Sequence, residues 1–367
     1  MRILQLATAL PKNEFTTDKL LKAFPCELPE GVRQNVLNLG VSKRHLISQP
    51  EAEGLLSEKN LVDLCREASE KALEQAGLSF RKVSCLISAY DVSPFLSPGL
   101  SQLLIPALDL DRYTSLTNLQ GIASTAFPKA LELAKNHLAM HPNDTVLICV
   151  SGVSSYWFQN QVHGLDEVME IGRINAIANK AERDLGLRKW VATMQSFLFG
   201  DGVATAVVTN ENKGLTAGDI AEVTNIGESD YLAGCSRLAA SNEPFKFGFH
   251  SHLDKEIPAL GTKYTALALE KLLGGKKEET MKAAKKWAVH TGSERILNAL
   301  GERNGIDREK LKESHEVLRE YGNLAGASLP FILDRIVSTC RLAKGDAVLM
   351  LGYGWGFSAS ASQLTQE

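Results

Sequence analysis

The segment SLTNLQGIASTAFPKALELAK, residues 115–135, decides how this chain reads. It runs from a strand end through a tight turn at Gly121 into a helix. Ser124 stands just inside the start of that helix, where a serine ordinarily caps free backbone N–H groups. Strand, turn and helix in this order fit a chain that alternates β and α elements, and the flanking sequence continues the alternation.

Upstream, RILQLATAL reads as a strand, TTDKLLKAF as a helix with a threonine start, and NLVDLCREASEKALEQAG as a longer helix closed by Gly77. KVSCLISAY is an unbroken Val/Ile-rich run of the kind buried on both faces of a sheet. GLSQLLIPAL is a short helix, and DTVLICVSG is the strand that follows the opening segment. SFLFGDGVATAVVTNE reads as a turn into a strand, its Gly-Asp-Gly expected to supply positive φ and a hydrogen-bonding turn aspartate. Residues 159–192, just before it, carry helical composition and read as a local excursion suited to a lid or a partner surface. In the second half, ALGTKYTALALEKLLGG, SERILNALGERNG and NLAGASLPFILDRIV read as helices, KKWAVHTG as a strand, and DAVLMLGYGWGFSASASQL as a closing hairpin. The expected class is α/β, with a sheet covered on both faces.

The two halves echo one another. NLQGIAS at Asn118 resembles NLAGAS at Asn323, and DTVLICVSG at Asp144 resembles DAVLMLGYG at Asp346; the offsets are 205 (323 − 118) and 202 (346 − 144). Two matched pairs in one order at nearly one spacing imply two similar halves packed as a pseudo-dimer, placed at 1–210 and 211–367.

Composition excludes several classes. With 367 residues, 44% hydrophobic and 23% charged, the chain can bury two domains or one large fused core. Its formal net charge is -3, and its Lys and Arg are interleaved with acids, so no nucleic-acid footprint is present. The first apolar run is cut by Pro11 and no window approaches a membrane span, so a soluble, cytoplasmic protein with no membrane partner is expected. Cys26, Cys65, Cys85, Cys149, Cys235 and Cys340 are far apart with no CxxC spacing, which implies free thiols and no metal.

Two more positions could carry chemistry. His290, in KKWAVHTGSERI, falls at the carboxyl end of a strand, where ligands meet α/β folds; a satisfied structural histidine is the plainer alternative. Asn323, in EYGNLAGAS, stands before a helix beside a glycine; it fits a turn role, and equally an amide N–H offered to a developing oxyanion.

Taken in order, these motifs resemble the thiolase superfamily of condensing enzymes, most nearly the chalcone-synthase-like (type III) polyketide synthases and 3-oxoacyl-ACP synthase III. ATALPKNEF, GVSKRHLI, LFGDGVATAVV, WAVHTGSERIL, VLREYGNLAGASLPFIL and LGYGWGFSASASQL each resemble a family motif, and the likeness spans nearly the whole chain. The resemblance implies a pseudo-duplicated five-layered α-β-α-β-α fold, a dimer, and acyl-CoA or acyl-carrier-protein thioesters as substrates, with no cofactor beyond coenzyme A or a phosphopantetheine arm. It implies that His290 polarises a thioester carbonyl, that Asn323 shares the oxyanion site, and that the loop containing Gly354, Trp355 and Gly356 shapes the cavity. By the same resemblance Phe249 falls near an aromatic that narrows the tunnel, and Lys43 and Arg44 lie near the coenzyme A entrance.

The departure is at the nucleophile, a cysteine in the family. Counting back from LELAK puts that position at Ser124; anchoring on the Gln-Gly pair puts it at Ile122. The helix is the more rigid ruler, so Ser124 is preferred. A serine hydroxyl ionises far less readily than a thiol and needs a general base at hydrogen-bond distance, a role His290 could fill. Three functions follow: an acyltransferase or condensing enzyme acylated on Ser124; a non-catalytic partner in a heterodimer with a cysteine-bearing ketosynthase; or a non-covalent catalyst using His290 and Asn323.

Overall fold

Nine strands form one mixed sheet in the computed structural model, which describes residues 1–48, 58–93, 95, 97–227, 230–238 and 249–367. They are β1 (Arg2–Ala9), β2 (Val83–Tyr90), β3 (Ser115–Leu119), β4 (Thr145–Ser151), β5 (Val203–Thr209), β6 (Leu215–Thr224), β7 (Lys286–Val289), β8 (Ala347–Gly354) and β9 (Ser358–Gln366). Their order is β7-β8-β9-β6-β1-β5-β4-β2-β3. β2 runs parallel to β3 and β4, and β7 parallel to β8; the other pairs are antiparallel. The strands before and after residue 210 meet at a short seam, where β1 and β6 pair only through Arg2↔Thr216 and Ile3↔Leu215.

The longer helices are α1 (Glu58–Ala76), α2 (Leu100–Ala107), α3 (Ala126–Met140), α4 (Ser155–Val162), α5 (Lys180–Leu198), α6 (Ile257–Leu273), α7 (Glu294–Asn304), α8 (Lys312–Tyr321) and α9 (Ser328–Thr339). Alternation along each strand assigns the layers, because successive side chains face opposite ways. On β8, Val348 and Met350 face a core shared with Phe127 and Leu131 of α3 and Phe331 and Ile332 of α9. Leu349 and Leu351, one residue on, face Tyr264 of α6, Leu297 of α7 and Leu318 of α8. On β2, Ile87 joins the α3/α9 core while Leu86 packs with α1 and α2. The result is α-β-α-β-α layering with α3 and α9 in the middle.

The internal echo holds at one spacing. Ala123 (φ 44) and Ala325 (φ 47) are both left-handed, and each opens a 3₁₀ turn that runs into α3 or α9. Their spacing of 202 (325 − 123) is that of Asp144 and Asp346. The Asn118–Asn323 match is therefore three residues out of register, and the counterpart of Asn323 is Gly121.

Gly-Asp-Gly at 200–202 serves another purpose than a positive-φ turn. Neither glycine has positive φ; a Cβ on Gly200 would stand 2.1 Å from the Tyr321 carbonyl oxygen, and one on Gly202 2.7 Å from the Phe331 ring. The wholly buried Asp201 carboxylate accepts the backbone N–H groups of Ile47, Ser154 and Ser155 and the Ser155 hydroxyl, so it pins the start of α4. The excursion at 159–192 is made of the end of α4, a short helix Ile171–Asn175, and most of α5. α5 buries Ala192, Met194 and Phe197 against Leu20, Val32 and Val36. Among the described residues all six cysteines are free, and no helix is long and apolar enough to cross a membrane.

Candidate active site

Ser124 lies on the 3₁₀ turn Ala123–Thr125 that joins β3 to α3. Its hydroxyl does not cap the helix. Ser124 Oγ stands 2.9 Å from His290 Nε2, and each residue is only 4% exposed. Ile122 carries no such contact: its carbonyl accepts the Thr125 hydroxyl at 2.7 Å, and its side chain packs on the central core. Of the two positions, Ser124 is the one that meets His290. The glycines of β8 explain how a strand approaches this turn. A Cβ on Gly352 would stand 2.7 Å from Ser124 O, and one on Gly354 2.9 Å from Ala123 Cβ and 3.0 Å from Ser124 N.

His290 follows β7 directly, its N–H donating to Leu351 O of β8 at 2.9 Å. Tyr353 clamps the turn behind it. The Tyr353 hydroxyl accepts the Gly292 N–H at 3.1 Å and donates to His290 O at 3.3 Å, and its ring meets the imidazole edge-on at 5.1 Å. On the other side the Thr291 hydroxyl donates to Ser328 Oγ (3.0 Å), which also accepts the Leu324 N–H (3.1 Å). The His290 turn is thereby tied to the turn that carries Asn323. Among the described residues His290 Nδ1 is buried without a hydrogen-bond partner, and burial alone pulls the imidazole down to a pKa of about 3. The ring is neutral at physiological pH. Accepting the Ser124 proton at Nε2 requires the tautomer with hydrogen on Nδ1.

Asn323 is held from three sides. Its N–H donates to Leu198 O (2.9 Å), its carbonyl accepts the Gly200 N–H (3.2 Å), and Oδ1 accepts the Ala325 N–H (2.8 Å). With Oδ1 so occupied, the amide nitrogen is the end left for another oxygen. Among the described residues no hydrogen bond joins Asn323 to Ser124 or His290. The two turns nevertheless abut: a Cβ on Gly326 would stand 3.2 Å from Ala123 O.

Two residues near the site escaped the sequence reading. Phe199 bridges to Asn323 through its backbone and forms a small apolar cluster with Phe158 and Ala325, the two rings 4.4 Å apart. Its signal is its place in the LFGDGVATAVV motif, whose turn and strand do not single out the phenylalanine. Asp91, just past β2, takes the backbone N–H groups of Ala123 and Gly121, and burial raises its carboxyl to about 6. No local pattern links it to a turn some thirty residues on.

The remaining predicted residues are dispersed. Arg44 is 0% exposed and so does not stand at an entrance: Nη2 donates to Phe197 O (2.6 Å) and Thr17 Oγ1 (3.0 Å), and burial pulls it down to about 9. Its strand, Lys43–His45, alternates faces, so Lys43 points outward instead and pairs with Glu14 at 2.8 Å. Trp355 is half-buried against Gly234, and Gly356 has φ 113, a backbone state that favours glycine. Phe249 pairs with Leu238 in a small hairpin; its side chain lies outside the described residues. No metal-holding group of His, Cys, Asp or Glu occurs among the described residues. Two pockets of about 200 and 400 Å³ are lined by residues such as Phe24 and Phe197, or Asp230 and Lys263, and neither by Ser124, His290 or Asn323.

Comparison with known proteins agrees with this frame. The family model for the C-terminal part of 3-oxoacyl-[acyl-carrier-protein] synthase III matches residues 276–365, which include His290, Asn323 and the 352–356 loop. The 3,5-dihydroxyphenylacetyl-CoA synthase of Amycolatopsis balhimycina is 24% identical over 371 residues, covering 97% of this chain and 90% of the relative. A β-ketoacyl-[acyl-carrier-protein] synthase III of Clostridium perfringens is 26% identical, covering 83% of this chain and 84% of the relative. The crystal structure of 1,3,6,8-tetrahydroxynaphthalene synthase from Streptomyces coelicolor superposes with a TM-score of 0.80 at 21% identity, covering 100% of this chain and 99% of that one. A cysteine-to-serine variant of Xanthomonas campestris OleA, solved with bound lauric acid and lauroyl-CoA, superposes at 0.74 and 17% identity, covering 99% and 98%. Residues 276–365 thus match the C-terminal family of 3-oxoacyl-ACP synthase III, and nearly the whole chain is similar in sequence to these synthases and in fold to a type III polyketide synthase.

Proposed function

We propose that the protein is an acyltransferase that passes an acyl group from a coenzyme A or acyl-carrier-protein thioester through Ser124. The observation that carries this reading is the 2.9 Å contact between Ser124 Oγ and the neutral, buried His290 Nε2. As Oγ attacks the thioester carbonyl, Nε2 takes its proton; as the C–S bond breaks, the imidazolium returns that proton to the departing thiolate. The Asn323 amide N–H is the donor for the negative charge on the carbonyl oxygen. The relatives' names support thioester chemistry, one being the synthase of an acyl-CoA and the other of a β-ketoacyl-[acyl-carrier-protein]. Lys43, exposed beside Glu14, is the remaining candidate for the anionic part of coenzyme A.

A purely structural partner of another ketosynthase would have no use for a base set on the serine, so the same contact favours the enzyme. A dimer suits the exposed edge of the sheet, where β3 has a neighbour on one side only and shows Leu116 to solvent, with Tyr113 just ahead of it.

Intact-mass analysis after incubation with a panel of acyl-CoA thioesters tests the reading. The wild type should gain the mass of one acyl group and Ser124→Ala should gain none. An adduct of equal yield on Ser124→Ala, or unchanged turnover by that variant, defeats it.

A further inference from the structure

We infer that the acyl acceptor brings its own removable proton, being an alcohol, an amine or a thiol, and is not a carbanion made by decarboxylation. This rests on the Ser124 reading and follows from what the buried pair can do with protons. Ser124 Oγ meets His290 Nε2, both residues are 4% exposed, and His290 Nδ1 has no hydrogen-bond partner. Among the described residues His290 has no carboxylate behind it, and Tyr353 holds its main chain, not its ring nitrogens. The pair therefore handles one proton, the one that Ser124 supplies in the resting state.

Acylation returns that proton to the departing thiol and leaves a seryl ester beside a neutral imidazole. To free Ser124, the ester C–O bond must break and Oγ must recover a proton. An acceptor X–H meets this need: His290 Nε2 takes the proton of X–H as X bonds to the carbonyl carbon, and passes it to Oγ as the C–O bond breaks. The products are the acylated acceptor and free Ser124, with His290 neutral again.

A carbanion from a malonyl thioester, formed as CO₂ leaves, brings no proton. Its attack would leave Oγ to depart as a bare alkoxide in a water-poor site. A cysteine does not face this difficulty, because a thiolate leaves unprotonated. Solvent supplies little help, since an imidazole with a pKa of about 3 is protonated in only ~1 molecule in 10⁴ at pH 7.

The test isolates the acyl-enzyme made with octanoyl-CoA and adds glycerol, glycinamide, pantetheine or malonyl-CoA, following adduct loss by intact mass and products by mass spectrometry. At least one of the first three should clear the adduct ten-fold faster than malonyl-CoA, giving ester, amide or thioester without CO₂. Failure of all three to outpace malonyl-CoA, or a 3-oxoacyl product with CO₂ release, overturns the inference. If the wild type forms no adduct, the Ser124 reading falls; the acceptor class is then judged from steady-state products of the same mixtures, where transfer to the heteroatom acceptors upholds it and a 3-oxoacyl product overturns it. Ser124→Cys provides the contrast: malonyl-dependent clearance of its adduct should rise at least ten-fold over that of the wild type.

Discussion

The turn at 121–125 and the turn at 323–327 share a backbone conformation and abut one another, yet they carry different side chains. Each has a left-handed alanine, Ala123 or Ala325, and each runs into a helix of the central layer. Where the first carries Ser124 the second has Gly326, and where the second carries Asn323 the first has Gly121. His290 likewise corresponds in sequence to Ser88 at the same spacing (290 − 88 = 202), and Ser88 is tied up with Ser101 and Asn118. The backbone of the turns thus repeats while their polar side chains do not. The reason is contact: Gly326 lies against Ala123 O, so a side chain there would fill the space in which the turns meet.

The comparison breaks most sharply at the functional side chains. His290→Ala should lower the Ser124 acylation rate by ~10³-fold or more, since a neutral hydroxyl without its base is a poor nucleophile. Asn323→Ala should lower it by ~10²-fold, mainly in kcat, as loss of one oxyanion donor does. Single-turnover acylation followed by intact mass checks both. Equal effects of Asn323→Ala and Ser88→Ala would show that the halves are not divided in this way.

The matched glycines at the strand ends sharpen it. A Cβ on Gly152 would stand 2.0 Å from the Leu324 carbonyl oxygen, a main-chain atom that cannot swing aside, whereas on Gly354 the nearest atoms are Ala123 Cβ and Ser124 N at 2.9 and 3.0 Å. Gly152→Ala should cost about 3 kcal/mol or more in denaturant unfolding. Gly354→Ala should cost about 1–2 kcal/mol and slow acylation ~10-fold, because the group it displaces is the turn that carries Ser124.

A pH effect separates His290 from Ser88, which does not titrate. An ordinary histidine has a pKa near 6.5, and burial holds His290 at about 3. Between these values the unfolded chain binds a proton that the folded chain refuses. The stabilisation is therefore full above about pH 6.5 and is lost as pH falls toward 3, by at most ~1.4 kcal/mol per unit. Urea unfolding of wild type and His290→Gln from pH 7 to 4 should show a shallower slope in the variant.

The smallest effect is expected at Tyr353. Removing its hydroxyl in Tyr353→Phe frees the Gly292 N–H and the His290 carbonyl, costing about 1 kcal/mol. Acylation should slow a few-fold with KM unchanged, and the imidazole ¹⁵N shifts of His290 should move; an unmoved ring would deny Tyr353 any part in positioning it.

Much of the frame was legible in the residues themselves. The buried run of β4, the glycine stop after α1, the Gly121 turn into α3 and the closing hairpin all rest on periodicity or turn chemistry that spans a few residues. The spacing of 202 was also visible, once at Asp144 and Asp346 and once misread by three residues at Asn118 and Asn323. What only the tertiary structure decided were the contacts across long separations. Ser124 reads as a cap until His290, 166 residues away, reaches its hydroxyl. Arg44 looks like a surface cation until alternation in a three-residue strand turns it inward beneath Phe197. Phe199 looks like turn filler until Phe158 and Ala325 close around it. Local backbone preference determines where a turn occurs; which distant side chain faces it depends on how the layers pack.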